Sequence, residues 1–258
     1  MPAILNLTWS CLVDAVPRDS SAGVAEPRDA ERLLDLQLAF NLYPAWYAHP
    51  SWLATLGDAT TLAEEYCELR GSPQWIRAVS SALLRGGQLH QHVDCDFFDP
   101  AKRLALIDAG TLTRIAGLVS ATLLRERLRR IVTHSEVRAV HKCMGEEAHA
   151  FAVRWQGLLP MVAPAVDQSG WPNSEVWERT SVALLCSALP SHAIGILGRL
   201  HMKFPIDWLE PRRRLVEPQR VGLTRHIIAV LLQSDTSWGW LFSPDMTSNQ
   251  LTEAANGA

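Results

Sequence analysis

Six apolar residues, Val137, Val140, Met144, Ala148, Phe151 and Trp155, recur at steps of three and four between positions 135 and 155. That spacing places them on one face of an α-helix and on no single face of a strand. Ser135 stands where an N-cap belongs. A helix with one apolar face has to bury it against a neighbour, so the rest of the chain must supply partners.

Helical patterns supply them. Residues 28–40 open with Asp29 as an N-cap and continue with Leu33, Leu34, Leu36, Leu38 and Phe40. Segments 59–69 and 73–85 read as two further helices, the second capped by Ser72, started by Pro73 and ended by Gly86-Gly87. In 111–133, Leu112, Ile115, Val119 and Leu123 form one stripe and Leu124, Leu128 and Ile131 a second, rotated by more than a right angle. Such a helix is packed between neighbours or bends between its halves. Segments 175–189 and 218–233 complete the set. Around 194–208, the alternation of Ile194, Ile196, Leu200, Met202 and Phe204 suits a small hairpin or edge strand. Strands and helices do not alternate regularly, which argues against a TIM barrel or a doubly wound sheet. The expected fold class is mainly α: an irregular multi-helix single domain with a minor β-hairpin near the C-terminal third.

Three regions follow. Residues 1–30 read as a flexible arm and linker, because 17–30 are polar and rich in Pro, Gly and Ser. Residues 31–242 form the helical domain. The polar tail, 243–258, is expected to be disordered. The stretch Thr180–Gly198 carries no charge up to Gly198 and approaches membrane-spanning length, but Pro190, Ser191 and His192 make it a core helix broken at Pro190. The start of the chain lacks the basic region of a secretory signal.

With 258 residues, 48% of them hydrophobic, the chain can bury a sizeable core. A net charge of −3 argues against a dedicated nucleic-acid partner. Lys102, Lys142 and Lys203 are the only lysines; the other basic residues are arginines, which we associate with a GC-rich, bacterial genome. Cys11, Cys67, Cys95, Cys143 and Cys186 are odd in number, scattered and free of any CxxC, as expected of reduced thiols in a cytosol.

Candidate chemistry is sparse. If extended, His90-Gln-His92-Val-Asp94-Cys95-Asp96 puts His90, His92, Asp94 and Asp96 on one side, a metal-like donor set; the bland alternative is a polar loop, with Asp99-Pro100 opening the next helix. Glu146-x-x-His149 has the spacing of carboxylate-bridged di-iron bundles, but it occurs once. His141 and His149 lie two turns apart along the helix, too far to share one ion directly, and a solvated face with a Glu–His contact is the simpler expectation. GxxxxGK[ST], GxGxxG and GxSxG are absent.

Two arginine clusters remain: Arg125, Arg127, Arg129 and Arg130, and then Arg212, Arg213 and Arg214. They suit a docking patch for an acidic protein, against the alternative of a solvated helix side and an exposed turn. Ten tryptophans are many for this length. Trp46, Tyr47, His49 and Trp52 belong to an aromatic stretch punctuated by Pro44 and Pro50, whose preceding residues are pushed out of helix. Its rings are buried in the chain's own core or on a partner.

That stretch, FNLYPAWYAHPSWL (Phe40–Leu53), resembles the N-terminal signature of the SctK/YscK family of type III secretion proteins, a segment of the form FNPAxYxHxSW. LRERLRRIVTHSEVRAVHKCMGEEAHAFAV (Leu124–Val153) looks like the family's central helical block, and GRLHMKFPIDW (Gly198–Trp208) is similar to its LxLKLP-type segment. The plant-pathogen and symbiont branches look closest. The resemblance implies a largely helical, non-enzymatic protein without cofactor, located in the cytoplasm at the inner-membrane face. It implies an adaptor of the injectisome sorting platform, linking the cytoplasmic domain of an SctD-type ring protein to SctQ-type pods and, through them, to SctL and the SctN ATPase. The alternatives are a metal-dependent enzyme using His90, His92 and Asp94, and a chaperone-like helical binder of secreted substrates.

Overall fold

The structure is a computed structural model of the chain and describes residues 26–57, 72–164, 171–208 and 213–243. The helix expected over 59–69, nearly all of the tail and the first 25 residues of the arm lie outside these. Among the described residues every regular element is a helix. They fall into two compact units interleaved along the chain. The first takes residues up to Ala109, Ser191–Asp207 and the chain from Ser237; the second takes Gly110–Pro190 and Trp208–Thr236.

The first unit begins with α1 (Glu26–Leu42). It starts three residues before the expected cap, Asp29, because Pro27 fits the first turn, where no backbone donor is needed. Leu33, Leu36 and Phe40 are buried, whereas Leu34 and Leu38 face out. A 3-10 turn (Pro44–Trp46) and the single-turn α2 (Pro50–Leu53) follow, each started by proline. In α3 (Pro73–Gly86), Ile76, Val79 and Leu83 form the buried face. Ser72 occupies the N-cap position but its hydroxyl donates to the Gln74 side chain at 3.1 Å instead of capping. A 3-10 turn (Leu89–Gln91) and α4 (Pro100–Arg103), capped by the Asp99 carboxylate, complete the run.

The segment expected to form a hairpin is α9 (Ile194–His201), and no strand occurs among the described residues. Ile196 and Leu200, four apart, share a buried face with Arg199 between them. A charged residue at a core position is what disguised the helical period. Gly195 is needed there, since a Cβ would collide with the His92 carbonyl, and a Cβ on Gly198 would press into Leu89.

Arg199 is fully buried and donates to four backbone carbonyls: Asn41 (3.1 Å), Leu89 (3.0 Å), His92 (2.7 Å) and Gly195 (3.1 Å). One side chain thereby satisfies acceptors at the end of α1, in the 3-10 turn, in the segment after it and in its own helix. Arg103, also buried, donates to Phe97 (2.7 Å) and to Leu241 (3.1 Å). Lys203 donates to the Ile107 carbonyl, its ammonium 5.5 Å from the Phe40 ring and 5.3 Å from the Tyr47 ring. Burial pushes it down to about 7, against the opposing pull of Asp108.

In the second unit the long segment breaks as one of its two alternatives required. It forms α5 (Ala109–Leu123) and the single-turn α6 (Arg125–Leu128), separated by Leu124 at φ −97°, ψ 6°. The break lets both stripes go inside: Leu112, Ile115 and Val119 on one side of it, Leu124 and Leu128 on the other. The helix α7 (His134–Arg154) is capped by Thr133, not Ser135. Thr133 and Glu136 form a reciprocal pair, the Glu136 amide donating to the Thr133 hydroxyl, which donates to the Glu136 carboxylate. Next come α8 (Ser174–Cys186), capped by Asn173 and ended ahead of Pro190, and α10 (Glu217–Ser234). At their core the buried His226 ring meets the Thr122 hydroxyl at 2.7 Å and stands edge-on to Trp155 at 5.3 Å. Burial lowers His226 to about 4.

Two predictions follow from these buried groups. Arg199→Met removes four hydrogen bonds made by a buried guanidinium and is expected to lower the unfolding free energy by about 3 kcal/mol or more, read from urea denaturation; Arg199→Lys recovers little, because a point charge cannot span the four acceptors. His226 is neutral when folded and binds its proton near 6.5 when unfolded. Its contribution to stability is full above pH 6.5 and is lost as pH falls toward 4, by roughly 3 kcal/mol. His226→Gln is expected to flatten that limb of the stability–pH curve.

Candidate functional site

The aromatic stretch is built into the first unit. Tyr47 is buried, stacks on Phe40 at 5.5 Å and donates its hydroxyl to the Phe40 carbonyl at 2.6 Å. The Trp52 indole donates to the Phe204 carbonyl at 2.9 Å. His49 caps α2 through Nδ1, and its backbone amide donates to the Met202 carbonyl at 2.7 Å. Burial holds the His49 imidazole below its usual range, against Asp207. Trp46 is half-buried with its ring 4.8 Å from Tyr43. The block thus clasps the C-terminal end of α9, which explains its proline punctuation: Pro44 and Pro50 each start a turn that aims a ring inward.

The His90–Asp96 segment does not bring its His and Asp side chains together as a metal-like donor set. Lys102, itself buried, donates to Asp94 at 3.0 Å and to Asp96 at 3.1 Å. Desolvation would raise Asp96, but the Phe98 amide and the Lys102 ammonium outweigh it and hold the carboxyl below its usual range. His92 contributes its carbonyl, to Arg199. Among the described residues no three His, Cys, Asp or Glu side chains converge as metal ligands do.

In the second unit, the helix read from sequence as straight is kinked. Gly145 lies at φ 82°, ψ 161°, a conformation that L side chains rarely adopt. The kink brings His141 Nε2 to 3.0 Å from His149 Nδ1, overturning the two-turn separation expected of a straight helix. Burial and the neighbouring His141 both lower His149. Glu146 is exposed, while Glu147 accepts from Arg114 on α5 at 2.8 Å. A cavity of about 400 Å³ opens beside the kink, lined by Arg114, Gly117, Lys142, Glu147 and Trp177 among others. Charges of both signs surround it.

Most of the arginines singled out are spent on the second unit itself. Arg125 donates to the Gly157 carbonyl at 2.8 Å and to Glu126. Arg129 donates to the carbonyls of Val153 and Trp155, each from Nη2 at 3.1 Å. The Arg127 guanidinium lies over the Trp171 ring, 4.0 Å from its centroid. Arg213 donates to the Ala163 carbonyl at 2.8 Å. Arg130 and Arg214 are exposed, and Arg212 lies outside the described residues. Sequence alone carries no sign of this division, because an arginine bonded to a carbonyl and a solvated one look alike in a string of letters.

What these features define is a class: a helical protein whose charged side chains serve its own scaffold and leave a few cations and apolar residues outward. A family model described as YOP proteins translocation protein K (YscK) matches residues 36–242. The chain belongs to that family of type III secretion proteins and is a component of such a secretion system. No curated protein and no solved structure matches it.

The kink generates a prediction. Gly145→Ala places a side chain at a strongly disfavoured φ, although nothing lies within 4 Å of the new methyl. The expected loss is about 1–3 kcal/mol with no steric cause. It should be accompanied by separation of the His141 and His149 rings, visible as altered imidazole resonances in NMR.

Proposed function

We propose that this chain is the non-enzymatic adaptor of an injectisome sorting platform. It links the cytoplasmic domain of an SctD-type ring protein to SctQ-type pods, and through them SctL and the SctN ATPase. The observation that carries the reading is family membership across residues 36–242. The geometry supports it: Asp94 and Asp96 pair with Lys102, Glu147 pairs with Arg114, and no described helix is long and apolar enough to cross a membrane. On this reading the protein sits at the cytoplasmic face of the inner membrane, held there by its partners. The adaptor body is residues 31–242, with an arm and a tail on either side. Partner contacts fall on Arg130 and Arg214, with Arg125, Arg127, Arg129 and Arg213 behind them and Arg212 beside Arg213. Trp46, Tyr47, His49 and Trp52 contribute through whatever edges the clasp leaves accessible.

Deleting the gene in a secreting cell is expected to abolish secretion, and the tagged full-length chain is expected to restore it. Purification from that cell should recover SctQ-, SctL- and SctD-type proteins by mass spectrometry. Intact secretion after deletion, or recovery of none of the three, overturns the adaptor reading.

A further inference from the structure

Leu158 is 94% exposed and Met161 86%, the former higher than any other large apolar residue described. Isolated exposed apolar side chains are ordinary on protein surfaces. What sets these two apart is how firmly the backbone beneath them is held. Arg125 donates to Gly157 at 2.8 Å, the Gln219 amide to Met161 at 3.2 Å and Arg213 to Ala163 at 2.8 Å. Just upstream, Arg129 donates to Val153 and Trp155. Trp155 is buried against His226, and Gly222 of α10 approaches Pro160 closely enough that a Cβ there would lie 3.6 Å from the ring.

Side chains before, on and after the neighbouring helices therefore fix the carbonyls on both sides of the two apolar residues. An exposed loop that had only to connect α7 to α8 would have no use for so many side-chain donors to its backbone. Ordering the loop in advance removes the conformational cost of ordering it on binding. Two further cations stand next in sequence to the arginines that hold it. Arg130 adjoins Arg129 and Arg214 adjoins Arg213; both are exposed, and neither makes an ion pair among the described residues. Glu126, the carboxylate bound to Arg125 and Arg129, offsets only part of this charge.

We propose that Leu158 and Met161 form a preformed apolar knob that docks into an apolar cleft rimmed by carboxylates on a partner protein. Arg130 and Arg214 pair with that rim. The idea rests on the adaptor reading only in taking the partner to be a component of the same apparatus.

The test uses the full chain in a secreting cell. A photo-crosslinking amino acid at position 158 is expected to capture one other protein, through a segment that mixes large apolar residues with Asp or Glu. Leu158→Asp with Met161→Asp is expected to reduce that partner's recovery at least tenfold, with an unchanged circular dichroism spectrum and melting temperature. Arg130→Glu with Arg214→Glu should reduce it severalfold and weaken the salt dependence. A crosslink to a second copy of this chain, to lipid or to nothing overturns the proposal. So does full secretion by the Asp pair in a strain where deletion abolishes it. Intact secretion after deletion would instead strike the adaptor reading, so the two failures are separable.

Discussion

The first unit depends on one guanidinium. Arg199 lies at the centre of segments far apart in sequence, and each offers it a backbone carbonyl. A buried cation held by no salt bridge would ordinarily be expelled; Asp94 acts on this one only through its field. Here the partial negative charges of four carbonyls, two of them from the turn and segment between α3 and α4, replace the lost water. The arrangement is stable only if all the segments are in place together, so it acts as a condition on the fold as much as a contribution to it. The tight approach at Gly195 follows: the guanidinium reaches the His92 carbonyl because the helix backbone comes so close to it.

The same device recurs in the second unit with a different use. There Arg125, Arg129 and Arg213 also bind carbonyls, yet they do so at the surface, and the segment they hold points its side chains outward. In the first unit arginine closes a core; in the second it stiffens a loop. Both uses exploit a planar group with several donors in fixed directions, which lysine does not have. The abundance of arginine, read from sequence as a trace of genome composition, thus has structural employment as well.

How much of this was legible beforehand depends on which residues carried the signal. Helices α3, α7, α8 and α10 were visible because their buried positions are apolar and evenly spaced, and the bend after Leu123 was foreshadowed by two stripes out of phase. The helix at 194–201 was missed because Arg199 occupies a core position, where a period search counts it as solvent-facing. Gly145 gave no warning either: a single glycine within a regular pattern is tolerated in most helices, and only the packed structure decides whether it adopts a positive φ. The aromatic stretch was recognised as compact, but not that it closes over α9, a contact more than a hundred residues away. Asp94 and Asp96 suggested a metal-like donor set in sequence; the partner they have in the structure is Lys102.

Lys203 carries a consequence that concerns heat and protons. Folded, it titrates near 7 beside Phe40 and Tyr47; unfolded, it returns to the ordinary lysine value of 10.5. Between those limits the unfolded chain holds a proton that the folded chain has given up, so this group's contribution to stability rises with pH across that window. Unfolding around pH 8 to 9 must then draw close to one proton from solution at this site. The buffer supplies it, and the buffer's own ionisation enthalpy enters the measured heat of unfolding. The core of the first unit is, in that sense, a proton donor to the medium each time it forms.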